Sequence, residues 1–138
     1  NNVQGGGEDV AINPGSFITS WAQVNSRSNS NFLRGAVNNL TANNDSLNTI
    51  MDSTGHSLLS RVGANITNGY KTGSPTGVTD SNASLAIAAG NMFVCGNVES
   101  ILSTRRIAAA HIGAGLVSTQ VASLYAALLS YMQAVGAA

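Results

Sequence analysis

The sequence predicts an all-α fold: a long antiparallel hairpin of two helices that follows a Gly/Asn-rich N-terminal arm and polymerises side by side. Three observations predict it. Apolar residues recur every three or four positions from Leu33 to Val62, no strong helix breaker stands between Ser81 and Gly136, and only 9% of the residues are charged. An ordinary soluble domain has about 25% charged residues. A thin rod with so few charges would need neighbouring copies to cover its surface.

The whole chain, 1–138, is expected to be one helical domain. Residues 1–15 form the arm, because they hold two Gly-rich turn signals and no sustained apolar period. Helix 1 is predicted over 16–66 with Ser16 as its N-cap, and the Asn/Ser run at 25–31 would allow a break. Its apolar seam is narrow and suits one partner helix. The seam consists of Leu33, Val37, Leu40, Asn44, Leu47, Met51, Thr54, Leu58 and Val62.

Residues 67–80 are expected to be the loop of the hairpin, because they hold three glycines and Pro75. Helix 2 is predicted over 81–135, about 50 residues and therefore about 75 Å long. Small side chains four positions apart would let another backbone approach it closely. The predicted assembly interface consists of Ala109, Gly113, Gly115, Leu116, Ala122, Ala126 and Leu128.

The charge balance of the chain limits the kinds of molecule that it can bind. Six basic residues offset six acidic ones, so no general field attracts a phosphate backbone, and nucleic acid is not expected to bind. Near-zero net charge also removes the repulsion that keeps copies apart. Copies of the chain itself are the expected partners, and related subunits are a further option.

A few ionisable residues are predicted to lie near the middle of the rod. Arg105 and Arg106 would be roughly level with Asp45, and Glu99 and His56 would lie close by. We expect a structural ion pair or a pH-sensitive cluster if the polymer buries these groups. The alternative is that they are ordinary solvated side chains.

The sequence contains no recognisable catalytic or ligand-binding motif. There is no nucleophile elbow and no phosphate-binding loop, and the glycines at 113 and 115 lack the strand context of a dinucleotide site. His56 and His111 stand alone, so a metal site would need several copies to build it, and the single Cys95 suits a structural thiol. We therefore expect no enzyme, and no catalytic, cofactor-binding or metal-binding residues.

Two stretches carry a family resemblance: Ser84–Phe93 (SLAIAAGNMF) and Ser118–Tyr125 (STQVASLY). They resemble the Ala-x-Ala-x-Gly-x-Leu-Tyr and Thr-Thr-x-Gly-Val-x-x-Leu-Tyr stretches of the RebB-like proteins, which form bacterial R-bodies. Ile18–Asn25 (ITSWAQVN) is similar to an early run of that family. The family's Gln-Gln-rich middle is absent, and Arg105 and Arg106 stand near its place. The longer chain fits the related ejectisome proteins of cryptophyte algae better.

The resemblance implies a helical subunit of a ribbon that is wound into a coil and discharged mechanically. It also implies an intracellular extrusive organelle or inclusion as the location. From the residues themselves we expect a self-assembling structural subunit of a ribbon or filament. The alternatives are a pilin-like or viral filament coat subunit and a membrane-embedded helical protein. The chain starts at Asn1 without methionine, from which we expect a processed or trimmed product.

Overall fold

The computed structural model of the chain describes residues 10–13, 21–25, 34–39, 54–85, 87, 91–94, 96–98, 101–102 and 107–137. Within them the chain is mostly β-structure and has one helix near its C-terminal end. The elements are β1 (Val10–Asn13), β2 (Trp21–Asn25), β3 (Arg34–Asn39), β4 (Ser57–Gly63), β5 (Ile66–Lys71), β6 (Ser74–Asp80), β7 (Asn91–Val94), β8 (Gly96–Val98), β9 (Ile101–Leu102) and α1 (Ser118–Ala134).

The strands form antiparallel sheets. One has four strands in the order β3-β2-β1-β7, one has three in the order β4-β5-β6, and β8 pairs with β9. The three-stranded sheet is a meander, because its strands follow one another in the sequence and pair with their neighbours. This sheet carries α1 and the segment that leads into it.

Turn chemistry explains the meander. The residues between β5 and β6 are Thr72 and Gly73, with φ of 48° and 82°. Two successive positive φ values are the mark of a type I′ hairpin turn, which matches the twist of the flanking strands. Pro75 is tolerated because β6 is an edge strand, where a missing N–H costs no ladder bond. The Gly/Pro-rich stretch is therefore a hairpin.

The two ends of helix α1 differ. Val117 has no side-chain acceptor to cap the helix, and its own N–H donates to the Gln120 side chain at 3.0 Å. At the other end Gly136 has a φ of 71°, and its N–H donates to the carbonyl of Gln133. The N–H of Ala137 donates to the carbonyl of Met132 at 2.8 Å. These two bonds form a Schellman motif, which satisfies the last carbonyls of the helix.

A hydrophobic cluster lies between the three-stranded sheet and α1. Leu58 of β4, Tyr70 of β5 and Val121 of α1 are buried against one another. Leu116 and Leu124 are half-buried at the margin of this cluster. The cluster is small, and it fixes the start of α1 more firmly than its end.

The predicted all-α hairpin is wrong. The range predicted for helix 1 contains β2, β3 and β4. The predicted loop, residues 67–80, consists of most of β5, the two-residue turn and β6. The range predicted for helix 2 contains three short strands. It also contains residues 107–117, which we call the irregular segment, so α1 begins only at Ser118. A spacing of four, as between Leu58 and Val62, fits one face of a helix and one side of a strand equally.

Candidate functional site

The inner face of α1 rests on the three-stranded sheet. Val121 is fully buried and contacts the cluster formed with Leu58 and Tyr70. Leu124 follows three residues later and packs at the edge of the same cluster. This spacing is that of one side of a helix. Apolar contacts of the inner face therefore hold α1 against the sheet.

Polar contacts hold the entry to α1. The buried hydroxyl of Ser60 accepts a hydrogen bond from the N–H of Leu116 at 2.6 Å and donates to the Leu116 carbonyl at 2.7 Å. The hydroxyls of Tyr70 and Ser118 lie 3.4 Å apart. A Cβ added at Gly115 would collide with the carbonyl oxygen of Arg61. The backbone just before α1 is thus pressed directly against β4.

We call the side of α1 that points away from the sheet its outer face. It consists of Ala122, Ser123, Ala126, Ala127 and Ser130, flanked by Leu129 and Tyr131, and all seven residues are exposed. No Asp, Glu, Lys or Arg occurs anywhere from Ile107 to Ala137. The hydroxyl of Ser123 donates to the carbonyl of Thr119 at 2.9 Å, so its polarity is partly satisfied within the helix. A solvated helix face normally carries charges, and this one carries none.

Two histidines meet beside α1. His56 precedes β4, and His111 lies in the irregular segment before α1, 55 positions further along the chain. Their Nε2 atoms are 2.9 Å apart. The ring centroids are 5.2 Å apart, which is close to the largest value that this nitrogen separation allows. The two nitrogens therefore point almost directly at each other, and the contact is an N–H···N hydrogen bond.

The surroundings fix His56 more than His111. The ring of Tyr125 lies near that of His56 with an interplanar angle of 18°, and the His56 carbonyl accepts a hydrogen bond from the N–H of Thr72 at 2.8 Å. Burial, then the neighbouring His111, then Lys71 lower the pKa of His56 below its ordinary value. His56 is therefore neutral at neutral pH. Its Nδ1 is buried and has no hydrogen-bond partner among the described residues.

Arg61 joins the two larger sheets. Its Nε donates to the carbonyl of Val37 on β3 at 2.7 Å. Its Nη1 donates to the carbonyls of Ala64 and Asn82, at 2.8 and 3.1 Å. A planar guanidinium can bond several carbonyls in this way because its donors are held in a fixed fork. The contacts of Arg61 are those of a structural residue.

The predicted assembly residues fall into different environments. Ala122 and Ala126 lie on the outer face of α1, and Gly113 and Ala109 are exposed in the irregular segment. Leu116 and Leu128 are half-buried, and Gly115 contacts β4 within the same chain. Of the residues predicted near the middle of the rod, the structure describes His56, whose neighbour is His111. The other four lie outside the described residues: Arg105, Arg106, Asp45 and Glu99.

Sequence reasoning missed three residues that shape this region. Ser60 contacts Leu116, 56 positions away, Arg61 contacts Val37, 24 positions away, and Tyr125 contacts His56, and no local spacing reveals such partners. The sequence predicts that His111 stands alone, and the structure places it against His56. A buried Ser on a strand leaves no apolar signal, so no pattern in the sequence could have singled it out.

Other kinds of site can be checked only where the chain is described. In that part of the chain, no three His, Cys, Asp or Glu side chains lie close enough to share a metal ion. No helix there is both long and apolar enough to cross a bilayer. Comparison with protein families, with curated proteins and with solved structures finds nothing that matches this chain.

Proposed function

We propose that this chain is a structural subunit that assembles with copies of itself through the outer face of α1. The absence of any charged side chain from Ile107 to Ala137 is the observation that carries the proposal. Tyr131 is 62% exposed and Leu129 is 37% exposed in the single chain. An isolated subunit would gain free energy by removing these side chains from water.

The shape of the outer face suits a second helix. Alanine and serine project little, so a neighbouring backbone can approach closely and make many dispersion contacts. Leu129 and Tyr131 flank this strip and would supply the apolar contact area. The best-matched partner for this face is α1 of another copy, because that helix is equally free of charged side chains.

The geometry of the contact decides the kind of assembly. A self-complementary contact closes into a dimer, whereas a contact between two different surfaces extends into a ring or filament. A ribbon or filament remains our prediction from the composition. The coiled ribbon is implied by the R-body resemblance alone, and we do not include it in the proposal.

A matched pair of substitutions tests the proposal. Ala126→Glu places a charge on the outer face, while Ala83→Glu places the same charge on an exposed residue outside α1. Glutamate is a good helix former, so the first change should leave α1 intact. Multi-angle light scattering and negative-stain electron microscopy would compare both with the unaltered chain.

We expect the unaltered chain and Ala83→Glu to form assemblies of the same size, and Ala126→Glu to remain monomeric. Burying an unpaired carboxylate between two copies is strongly unfavourable, so the loss of assembly should be nearly complete. Equal assembly by Ala126→Glu would contradict the proposed interface. A monomeric unaltered chain at high concentration would contradict self-assembly itself.

A further inference from the structure

We propose that His56 and His111 together bind one divalent transition-metal ion, of the class that prefers imidazole ligands, through their Nε2 atoms. The two side chains lie 55 positions apart in the sequence and meet with Nε2 atoms 2.9 Å apart. Zn²⁺, Ni²⁺ and Cu²⁺ are the ions of this class. The site does not depend on the assembly proposed above.

The separation of the two nitrogens already suits a shared ion. Imidazole nitrogens bind Zn²⁺ at about 2.0–2.1 Å, so two ligands on one ion are separated by about 2.9 Å at a right angle and about 3.3 Å in a tetrahedron. The observed 2.9 Å needs little or no change. The directions of the lone pairs do need to change, because the two nitrogens now face each other.

One ring has to tilt so that both lone pairs converge on the ion. His111 is the ring that is free to tilt, since it is exposed and lies in the irregular segment before α1. His56 is held by the ring of Tyr125 and by its backbone contact with Thr72. A fixed ligand and an adjustable one form a site that the ion can complete by a small movement.

His56 presents a neutral ring to an ion. A metal needs the neutral imidazole, and protons compete with it for the same nitrogen. His56 is half-buried, and its lowered pKa keeps the ring neutral at neutral pH. Its Nδ1 would carry the proton when Nε2 binds the ion.

Two features limit the affinity. The positive charge of Lys71 acts on His56 and would oppose a cation. No described group accepts a hydrogen bond from Nδ1 of His56, so the ring lacks the orienting partner that strong sites have. We therefore expect water to complete the coordination and the binding to be weaker than in a structural zinc site. The ion would tie the segment before α1 to the start of β4.

The chain offers a clean test because it contains only two histidines and one cysteine. A Cys95→Ser background removes the thiol, which could otherwise bind the ion. Zn²⁺ would be titrated into this chain at pH 7.5 by calorimetry, with the His Cε1–H resonances followed by NMR. His111→Gln and His56→Gln in the same background are the matched variants, and Mg²⁺ is the control ion.

We expect one Zn²⁺ per chain, shifts of both histidine resonances, and a rise of a few degrees in Tm at saturating Zn²⁺. Either Gln variant should bind at least tenfold more weakly and lose the Tm shift. Mg²⁺ should produce neither effect, because it prefers oxygen ligands. Unchanged Zn²⁺ binding in the folded His111→Gln variant would overturn the proposal, and so would the absence of binding at millimolar Zn²⁺.

Discussion

The inner face of α1 buries Val121 against Leu58 and Tyr70, whereas the outer face leaves Ala126 and Ser130 exposed. Both faces are free of charge, which is usual for the first and unusual for the second. The inner face serves folding, because its contacts lie within the chain. The outer face has no described partner within the chain, and its composition suits a contact between chains.

The largest effect should come from a charge on the inner face. We expect Val121→Asp to destabilise the chain by about 3 kcal/mol or more, because an unpaired carboxylate would enter the core. Ala122→Asp, one residue away on the outer face, should cost no more than about 1 kcal/mol. Urea unfolding followed by circular dichroism would measure both, at a concentration low enough to avoid assembly. Equal losses of stability would show that the two faces do not differ as described.

Two glycines before α1 allow a similar comparison between a packed position and an open one, with smaller changes in the side chain. A Cβ at Gly115 would collide with the carbonyl of Arg61, whereas a Cβ at Gly113 would meet nothing within 4 Å. We expect Gly115→Ala to lower the free energy of unfolding by about 1–3 kcal/mol. Gly113→Ala should be neutral or slightly stabilising, because alanine reduces the freedom of the unfolded chain. Thermal unfolding distinguishes these outcomes, and a larger loss from Gly113→Ala would contradict the packing of this segment.

The smallest effect should be a pH dependence that arises from His56. Burial, His111 and Lys71 lower the pKa of His56 in the folded chain, while the unfolded chain keeps a value of about 6.5. The unfolded state therefore binds more protons in the range below pH 6.5, and the contribution of His56 to stability falls as the pH drops. Denaturant unfolding between pH 8 and pH 5, with a chelator present, would show this fall.

The control for that measurement is His56→Gln, which removes the titrating group. Its stability should change less between pH 8 and pH 5 than that of the unaltered chain. An identical pH dependence in both chains would contradict the assignment to His56.

Only part of this structure could be predicted from the sequence. The sequence predicts that the last helix ends just before Gly136, and the structure agrees, because Gly136 has a positive φ and closes a Schellman motif. The start of that helix was placed some 37 residues too early, at Ser81 instead of Ser118. Alanine and glycine give little periodic signal, and no proline marks where the helix begins.

The strands were missed for a different reason. Buried Ser60 hides the alternation of β4, and Gly73 and Pro75 favour a loop when the pairing of β5 with β6 is not known. The contact of His56 with His111 depends on that fold, so no spacing could reveal it. Ala122 and Ala126 belong to the interface predicted from the sequence, because their small size is a property of the sequence alone. Their role in assembly stays a prediction.

Hydroxyl-radical footprinting of the unaltered chain, compared between dilute and concentrated samples, tests the central claim most directly. We predict that Leu129 and Tyr131 on the flanks of the outer face lose reactivity as the chain assembles. Ile87, which is 82% exposed and lies outside α1 in the sequence, should keep its reactivity. Assembly that leaves Tyr131 fully reactive would contradict the proposal that the outer face of α1 joins the copies.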